Sequence, residues 1–207
     1  MACTALTKGR GLDCNRISGG IKFVYFAVYD QIDSFAYDST NPLEIDTIDF
    51  GGNAIYRYTM PLGVASLTDT IVGSRENGTC YFTPSLSVIL NRLTKEDQNQ
   101  IKLLAATKLR CFVQLNQTLP NGHDVIVAVG MENGLELNAG TMDSGAAFGD
   151  RNGYTLTLDG MEPKPFAMLE DFTTTVFDNS GFTNEASPFI ITAYFSYLFS
   201  YNLKRVA

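Results

Sequence analysis

The chain has no tryptophan and a single histidine, His123. With no second histidine and no GxSxG element at a strand-to-helix turn, Ser-His-Asp hydrolysis has almost no support. His123 stands beside Asn121-Gly122, and reads as a turn residue facing solvent. The four cysteines, Cys3, Cys14, Cys80 and Cys111, lack CxxC spacing and a neighbouring histidine, which argues against a zinc site. Their simplest reading is as free thiols of a chain made in the cytosol, with a Cys3–Cys14 bridge left open. Long apolar runs are missing too. Residues Phe189 to Tyr201 form the longest, too short and too polar to span a bilayer. The start shows no basic stretch followed by an apolar core, so no signal peptide is expected. The sequons at Asn77 and Asn116 mean little without one.

Positive charge is also scarce. Lys and Arg total 15 against 22 Asp and Glu, a formal net charge of -7. That balance argues against tight neutralisation of nucleic-acid phosphates and against an anionic membrane surface. What remains is a 207-residue chain with an ordinary apolar fraction of 45%, enough for one domain with a real core.

The stretch from Asp124 to Phe166 organises the sequence. Two β-type runs, Val125 to Val129 and Tyr154 to Leu158, flank a middle too rich in glycine for a helix. It reads as a long, glycine-jointed pair of strands. Inside it, Asp143-Ser144-Gly145-Ala146 matches the Asp-Thr/Ser-Gly-Ala loop of dimeric aspartic proteases. The preceding residues are not an apolar strand, and the later apolar-apolar-Gly-Arg element is absent, so a glycine-rich turn is the better account. Asp150-Arg151-Asn152-Gly153 lacks the alternating oxygen ligands of a calcium loop and reads as a tight turn.

Elsewhere, residues 1–20 read as an extended arm. Ile21 to Tyr29 is apolar on both faces, so that strand is either central to a sandwich or covered by another subunit. Residues 30–53 carry Asp30, Asp33, Asp38, Glu44, Asp46 and Asp49 without a cation. Alternating runs at Glu44 to Phe50 and Ala54 to Met60 flank Gly51-Gly52-Asn53, a hairpin-type turn sequence. Ser66 to Val72, Thr79 to Leu90, Leu109 to Gln117 and Asp124 to Gly130 are further predicted strands. Thr94-Lys95-Glu96-Asp97 resembles a capping box, opening the one predicted helix within 94–108, with Ile101, Leu104 and Ala105 as its apolar stripe. Period-two alternation predicts a C-terminal strand within 187–207. The whole is a single mainly β domain, a sandwich or barrel with one amphipathic helix and extended loops and arms.

The order of elements, with the span from Val127 to Pro163 and its Gly149-Asp150-Arg151-Asn152-Gly153-Tyr154, resembles the tail tube proteins of long-tailed bacteriophages, sheathed or non-contractile. The opening Thr7-Lys8-Gly9-Arg10-Gly11-Leu12, then Cys14 and Gly19-Gly20-Ile21, is similar to the start of phage virion proteins of this size. The resemblance implies a structural virion protein, not an enzyme, with no cofactor and no metal. It implies assembly in the bacterial host cytoplasm into stacked hexameric rings, a channel for DNA ejection. Tail sheath, tape-measure, baseplate and tail terminator proteins are the implied partners, and viral DNA would pass without tight binding. An acidic lumen would repel phosphate. Asp30, Glu44, Asp46, Asp49, Glu132, Glu136 and Asp143 are the candidate lumen-lining acids. Ile21, Phe23, Val24, Tyr25, Phe26 and Val28 form the candidate inter-subunit strand, and the arm and the Asp33 to Asn41 loop the candidate ring-to-ring contacts. Alternatives are another virion β-protein (head decoration, neck or baseplate), the inner tube of a contractile injection system, a host-derived sandwich binding module, and an aspartic-type protease using Asp143.

Overall fold

A computed structural model describes residues 10, 18–183 and 189–190 of the chain. It is a mainly β structure of two sheets and one short helix. The strands are β1 (Ile21–Val28), β2 (Ser34–Tyr37), β3 (Glu44–Asp49), β4 (Ile55–Thr59), β5 (Ser66–Ser74), β6 (Thr79–Asn91), β7 (Leu109–Thr118), β8 (Asp124–Val129), β9 (Glu136–Asp143), β10 (Gly153–Asp159), β11 (Ala167–Leu169), β12 (Phe182–Thr183) and β13 (Phe189–Ile190); the helix is α1 (Lys95–Leu104). The larger sheet runs β12-β3-β11-β8-β7-β1-β4-β13, with β2 paired to β3; the smaller runs β5-β6-β10-β9. Among the described residues neither sheet closes into a barrel.

The alternation in the apolar strands explains why the larger sheet has a core on each face. Val24 and Phe26 of β1, Cys111 and Val113 of β7, and Val125 and Val127 of β8 face the smaller sheet, where Leu86, Val88, Tyr154, Leu156 and Leu158 meet them. Tyr25, Ala27, Phe112, Ile126 and Ala128 face the other way, onto Ile45, Ile48, Phe50, Phe177 and Phe182. Four aromatics of that second core, Phe50, Phe112, Phe177 and Tyr25, meet edge to face at 5.3–6.1 Å, the arrangement their quadrupoles favour.

The doubly apolar β1 is therefore the centre of a sandwich. Its edges are taken by β4 and β7, and Ile21, Val24, Tyr25 and Phe26 are buried by the chain itself. Phe23 and Val28 are half-buried, Phe23 under the Arg57 guanidinium. The cover assigned to a neighbouring subunit comes from within the chain.

Three further expectations need correction. β3 and β4 flank the Gly51-Gly52 turn, yet they do not pair; β3 pairs with β2, and β4 with β1. The 38–43 connection, where Asp38 accepts the Asn41 N–H at 2.8 Å, makes the real hairpin. The two runs of the Asp124–Phe166 stretch lie in different sheets, and its glycine-rich middle holds a further strand, β9. The Asp33 to Asn41 loop contains β2.

The helix matches its signal. Thr94 caps it, its hydroxyl accepting the Asp97 N–H at 3.0 Å, and Ile101 is buried in the first core. The N-terminal arm, apart from Arg10 and residues 18–20, and the C-terminal strand beyond Ile190 lie outside the described residues. Phe189 and Ile190 pair in parallel with Ile55 and Tyr56.

Candidate functional site

The four-stranded sheet is built from strands that alternate apolar and hydroxyl residues, so its two faces differ in kind. One face is core. On the other, the registers set Ser66, Ser87, Thr157 and Ala139 in one row, and Thr68, Ser85, Asp159 and Glu136 in the next. Thr70 lies opposite Thr83, and Thr155 opposite Thr141. The four strands contain the acids Asp69, Glu136, Asp143 and Asp159 and no Lys or Arg. This is a face rich in hydroxyls with a few acids, on which the registers also set Val72, Tyr81 and Ile89, and where Arg151, from the loop before β10, donates to Thr155 at 2.6 Å.

Both edges of the sheet are open. Among the described residues β5 pairs only with β6, and β9 only with β10. Each strand is antiparallel to its neighbour, and the number of strands is even. A second copy set beside the first would thus present its β5 antiparallel to β9, and the ladder could continue. Natural edges are usually blunted by Lys, Pro, a bulge, an inward charge or a cover; β5 and β9 have neither Lys nor Pro, while β9 is bulged at Asn138 and β5 carries Asp69 in register with core-facing Leu67. Beneath β9 runs a groove of about 220 Å³ between α1 and the strand, lined by Ile101, Ala105, Leu137, Gly140, Met142 and Leu156. Gly140 leaves its floor low; a Cβ there would come within 3.2 Å of Leu156.

A polar joint ties the two sheets together. Glu162 is 5% exposed, and its carboxylate accepts the N–H groups of Glu132, Asn133 and Gly134 at 3.2, 2.9 and 3.1 Å. Burial raises its pKa, against the pull of those three donors. Lys164 pairs with Glu132 at 2.9 Å and sits 4.1 Å over the Tyr37 ring. Burial and the nearby Glu132 push the Tyr37 phenol upward. Arg110, also buried, donates to the carbonyls of Met131, Tyr29 and Ile32 at 3.0, 2.9 and 3.2 Å. In the other core Tyr25 donates to Gln114, which donates to Asp124, which holds Lys22 at 2.6 Å; burial pushes the Tyr25 phenol up to about 12. Each of these groups is spent on holding the fold.

The seven candidate acids do not form one surface. Glu136 and Asp143 stand on β9, on the hydroxyl side of the small sheet. Glu44, Asp46 and Asp49 are on β3 of the larger sheet, and Asp30 is in the single 3-10 turn after β1. Glu132 is tied to Lys164. The split follows from the strand assignment: β9 was not legible among the glycines, and β3 belongs to the other sheet. Asp159 and the hydroxyl rows were missed, although the alternation in Ser66–Ser74 and Tyr154–Asp159 carried the signal.

The remaining chemistry is sparse. Asp143 is exposed and accepts the Gly145 N–H at 2.9 Å, a local turn bond. The Ala147 and Ala146 N–H groups hold the Asp150 carboxyl below its usual range, which fixes the tight turn. His123 is not a free turn residue. Its ring stacks on Phe172 at 4.5 Å and meets Asp171 at 3.0 Å, clamping the β7–β8 turn to the 170–180 segment. Cys80 and Cys111 are free thiols, one exposed and one buried. Among the described residues no cluster of three His, Cys, Asp or Glu could hold a metal, and no helix is long and apolar enough to cross a membrane. No protein-family model, curated protein or solved structure matches the chain.

Proposed function

We propose that this protein is a structural virion subunit of the tail-tube kind, whose four-stranded sheet joins those of its neighbours into a ring. The observation that carries the reading is that sheet: an even, fully antiparallel array with two unpaired edges, a hydroxyl-rich face whose four strands hold no Lys or Arg, and a core-backed opposite face. Closing a sheet on itself removes its edges, the most complete answer to unpaired N–H and C=O groups. A wall rich in Ser and Thr with scattered acids, its strands without Lys or Arg, gives passing DNA few of the cations that condense phosphate. The larger sheet is the outer layer, and it needs no partner to cover β1. Rings of six and stacking into a tube come from the resemblance.

The proposal leads to a direct test. Negative-stain microscopy of the purified chain is expected to show rings or tubes of constant width. Met142→Lys, which places a cation on the open β9 edge, is expected to return the protein to monomers without unfolding it. A wild-type protein that stays monomeric at high concentration overturns the reading.

A further inference from the structure

The two unpaired edges of the small sheet carry complementary residues on their core side. On β9 that side holds Leu137, Gly140 and Met142, which stand opposite the buried Leu158, Leu156 and Tyr154 of β10. Between them and Ile101 and Ala105 of α1 lies the apolar groove of about 220 Å³. Gly140 brings no side chain into it, and Met142 is 58% exposed. On β5 the same side holds Leu67, Asp69 and Ile71. Leu67 packs on the first core, and Asp69 is engaged within its own copy, accepting the Phe166 N–H at 3.1 Å. Ile71 is left 68% exposed. Its strand is held by nine paired positions on β6, and a β-branched side chain has little freedom to lose on being covered.

Alternation restricts how β5 of one copy can meet β9 of another, because core side must lie beside core side. Asp69 opposite Gly140 would bury a carboxylate in an apolar groove. Gly73 there would leave the groove empty, and Leu67 is already packed. Ile71 opposite Gly140 fills it, and sets Thr70 opposite Thr141, Val72 opposite Ala139 and Thr68 opposite Asp143.

The stagger this needs suits a closed sheet. Within one copy the row through Ala139 ends on Ser66, whereas the contact sets Ala139 against Val72 of the next copy, about six residues along. At about 3.3 Å per residue and about 4.8 Å per strand, that is about 20 Å of stagger over about 19 Å of sheet. The strand tilt is then about 45°, the upper end of what closed barrels show. Charge agrees with the same register. It brings Arg75, exposed in the turn after β5, within one position of Glu136, exposed at the start of β9. Neither side chain has an ion pair among the described residues. An exposed pair of this kind selects a register more than it adds affinity.

We infer that Ile71 of one copy seats in the groove between α1 and β9 of the next, over Gly140, with Arg75 beside Glu136. The inference rests on the ring reading, and adds to it the residue that anchors the contact and the register in which the ladder continues. Knob and seat lie on different edges, so the contact is heterologous, the kind that closes into a ring when the rotation allows.

The test uses the full chain with Cys3, Cys14 and Cys80 replaced by Ser, to which Thr70→Cys and Thr141→Cys are added singly and together. A further variant, Thr68→Cys with Thr141→Cys, probes the register two residues away. Under mild oxidation the Thr70 and Thr141 pair is expected to give a ladder of dimers and higher species, well beyond the singles and the Thr68 and Thr141 pair. Cross-linking of the Thr68 and Thr141 pair instead overturns the register. A Thr70 and Thr141 pair no more cross-linked than its singles overturns the contact, the outcome if the chain's own terminal residues fill the groove. In the native chain, Ile71→Ser is expected to raise by about tenfold or more the concentration at which rings form, with an unchanged urea midpoint, while Ile71→Leu keeps the rings. Rings at unchanged concentration in Ile71→Ser overturn the anchor. Rings without the Thr70 and Thr141 cross-link sink this contact and keep the ring reading; ladders without rings in the microscope do the reverse.

Discussion

Glu162, on the segment leaving the small sheet, accepts the backbone N–H of Asn133, on the segment leaving the large one, at 2.9 Å. The same carboxylate takes the N–H groups of Glu132 and Gly134, and its own backbone bridges Phe82 at 2.8 Å in both directions. One buried side chain thus closes the space between the sheets with three N–H groups that would otherwise have no acceptor. Replacing it by Ala is expected to cost about 2–3 kcal/mol, the penalty for buried polar groups left unpaired, read as a shift of the urea midpoint.

The same residue gives a pH signature. Burial is the larger effect and raises its pKa in the folded chain. A carboxyl raised on folding holds its proton more tightly in the native state, so its contribution favours folding in acid and is lost as pH rises through the folded value. The stability difference between the native chain and Glu162→Gln is therefore expected to shrink as pH rises above the ordinary carboxylate range. Urea titrations at a series of pH values check the sign; a difference that grows with pH refutes it.

Arg110 offers a second test of the joint. Its guanidinium lies 4.1 Å over the Tyr29 ring while it serves three carbonyls. Arg110→Met keeps the stem but strips the donors, and should cost about 3 kcal/mol from the stranded carbonyls. Arg110→Lys should recover less than half, because one ammonium cannot span the fork and the stack together. Chemical unfolding of the three proteins ranks them.

Which of these features could be read from the residues follows a physical line. Strands that are short runs rich in apolar residues, such as Ile21–Val28 and Leu109–Thr118, and the Thr94 cap were legible because they are local patterns. Pairing was not. Gly51-Gly52 fits a hairpin, but whether β4 turns back onto β3 or crosses to β1 depends on which core receives Ile48 and which receives Tyr58, a non-local choice. β9 hid because Asn138, Ala139 and Gly140 carry no apolar signal; its pairing with β10 makes it a strand. Glu162 and Arg110 were invisible for the same reason, since their donors and acceptors are scattered along the chain.

Gly153 shows how tightly the small sheet closes beside the loop. A Cβ there would lie 2.1 Å from the Leu90 carbonyl oxygen, and both strands are fixed by seven paired positions, Gly153 to Asp159 against Asn91 to Ser85. The backbone cannot yield locally without breaking that ladder. Gly153→Ala is expected to destabilise by about 2 kcal/mol, an overpacking cost only partly offset by the stiffer unfolded chain. For a chain of this size that is about 5 °C in Tm, measurable by calorimetry. An unchanged Tm would mean β10 is not seated against β6 as described.

Charge reversal separates the two sheets in function. If the hydroxyl face of β5, β6, β10 and β9 lines a channel, cations placed on it meet the phosphates of passing DNA, and cations on β3 do not. Glu136→Lys with Asp159→Lys converts a row of Thr68, Ser85, Asp159 and Glu136 from acidic to basic. Repeated around a ring, that change should retain DNA in the channel and slow or stop its delivery, the more so at low salt, where phosphate contacts strengthen. Asp46→Lys, on the exposed side of β3 in the larger sheet, is expected to leave delivery unchanged at equal assembly. Phage particles assembled with each variant, scored for DNA release at two salt concentrations, decide the matter. A defect from Asp46→Lys with none from the Glu136 and Asp159 pair would assign the channel to the other sheet.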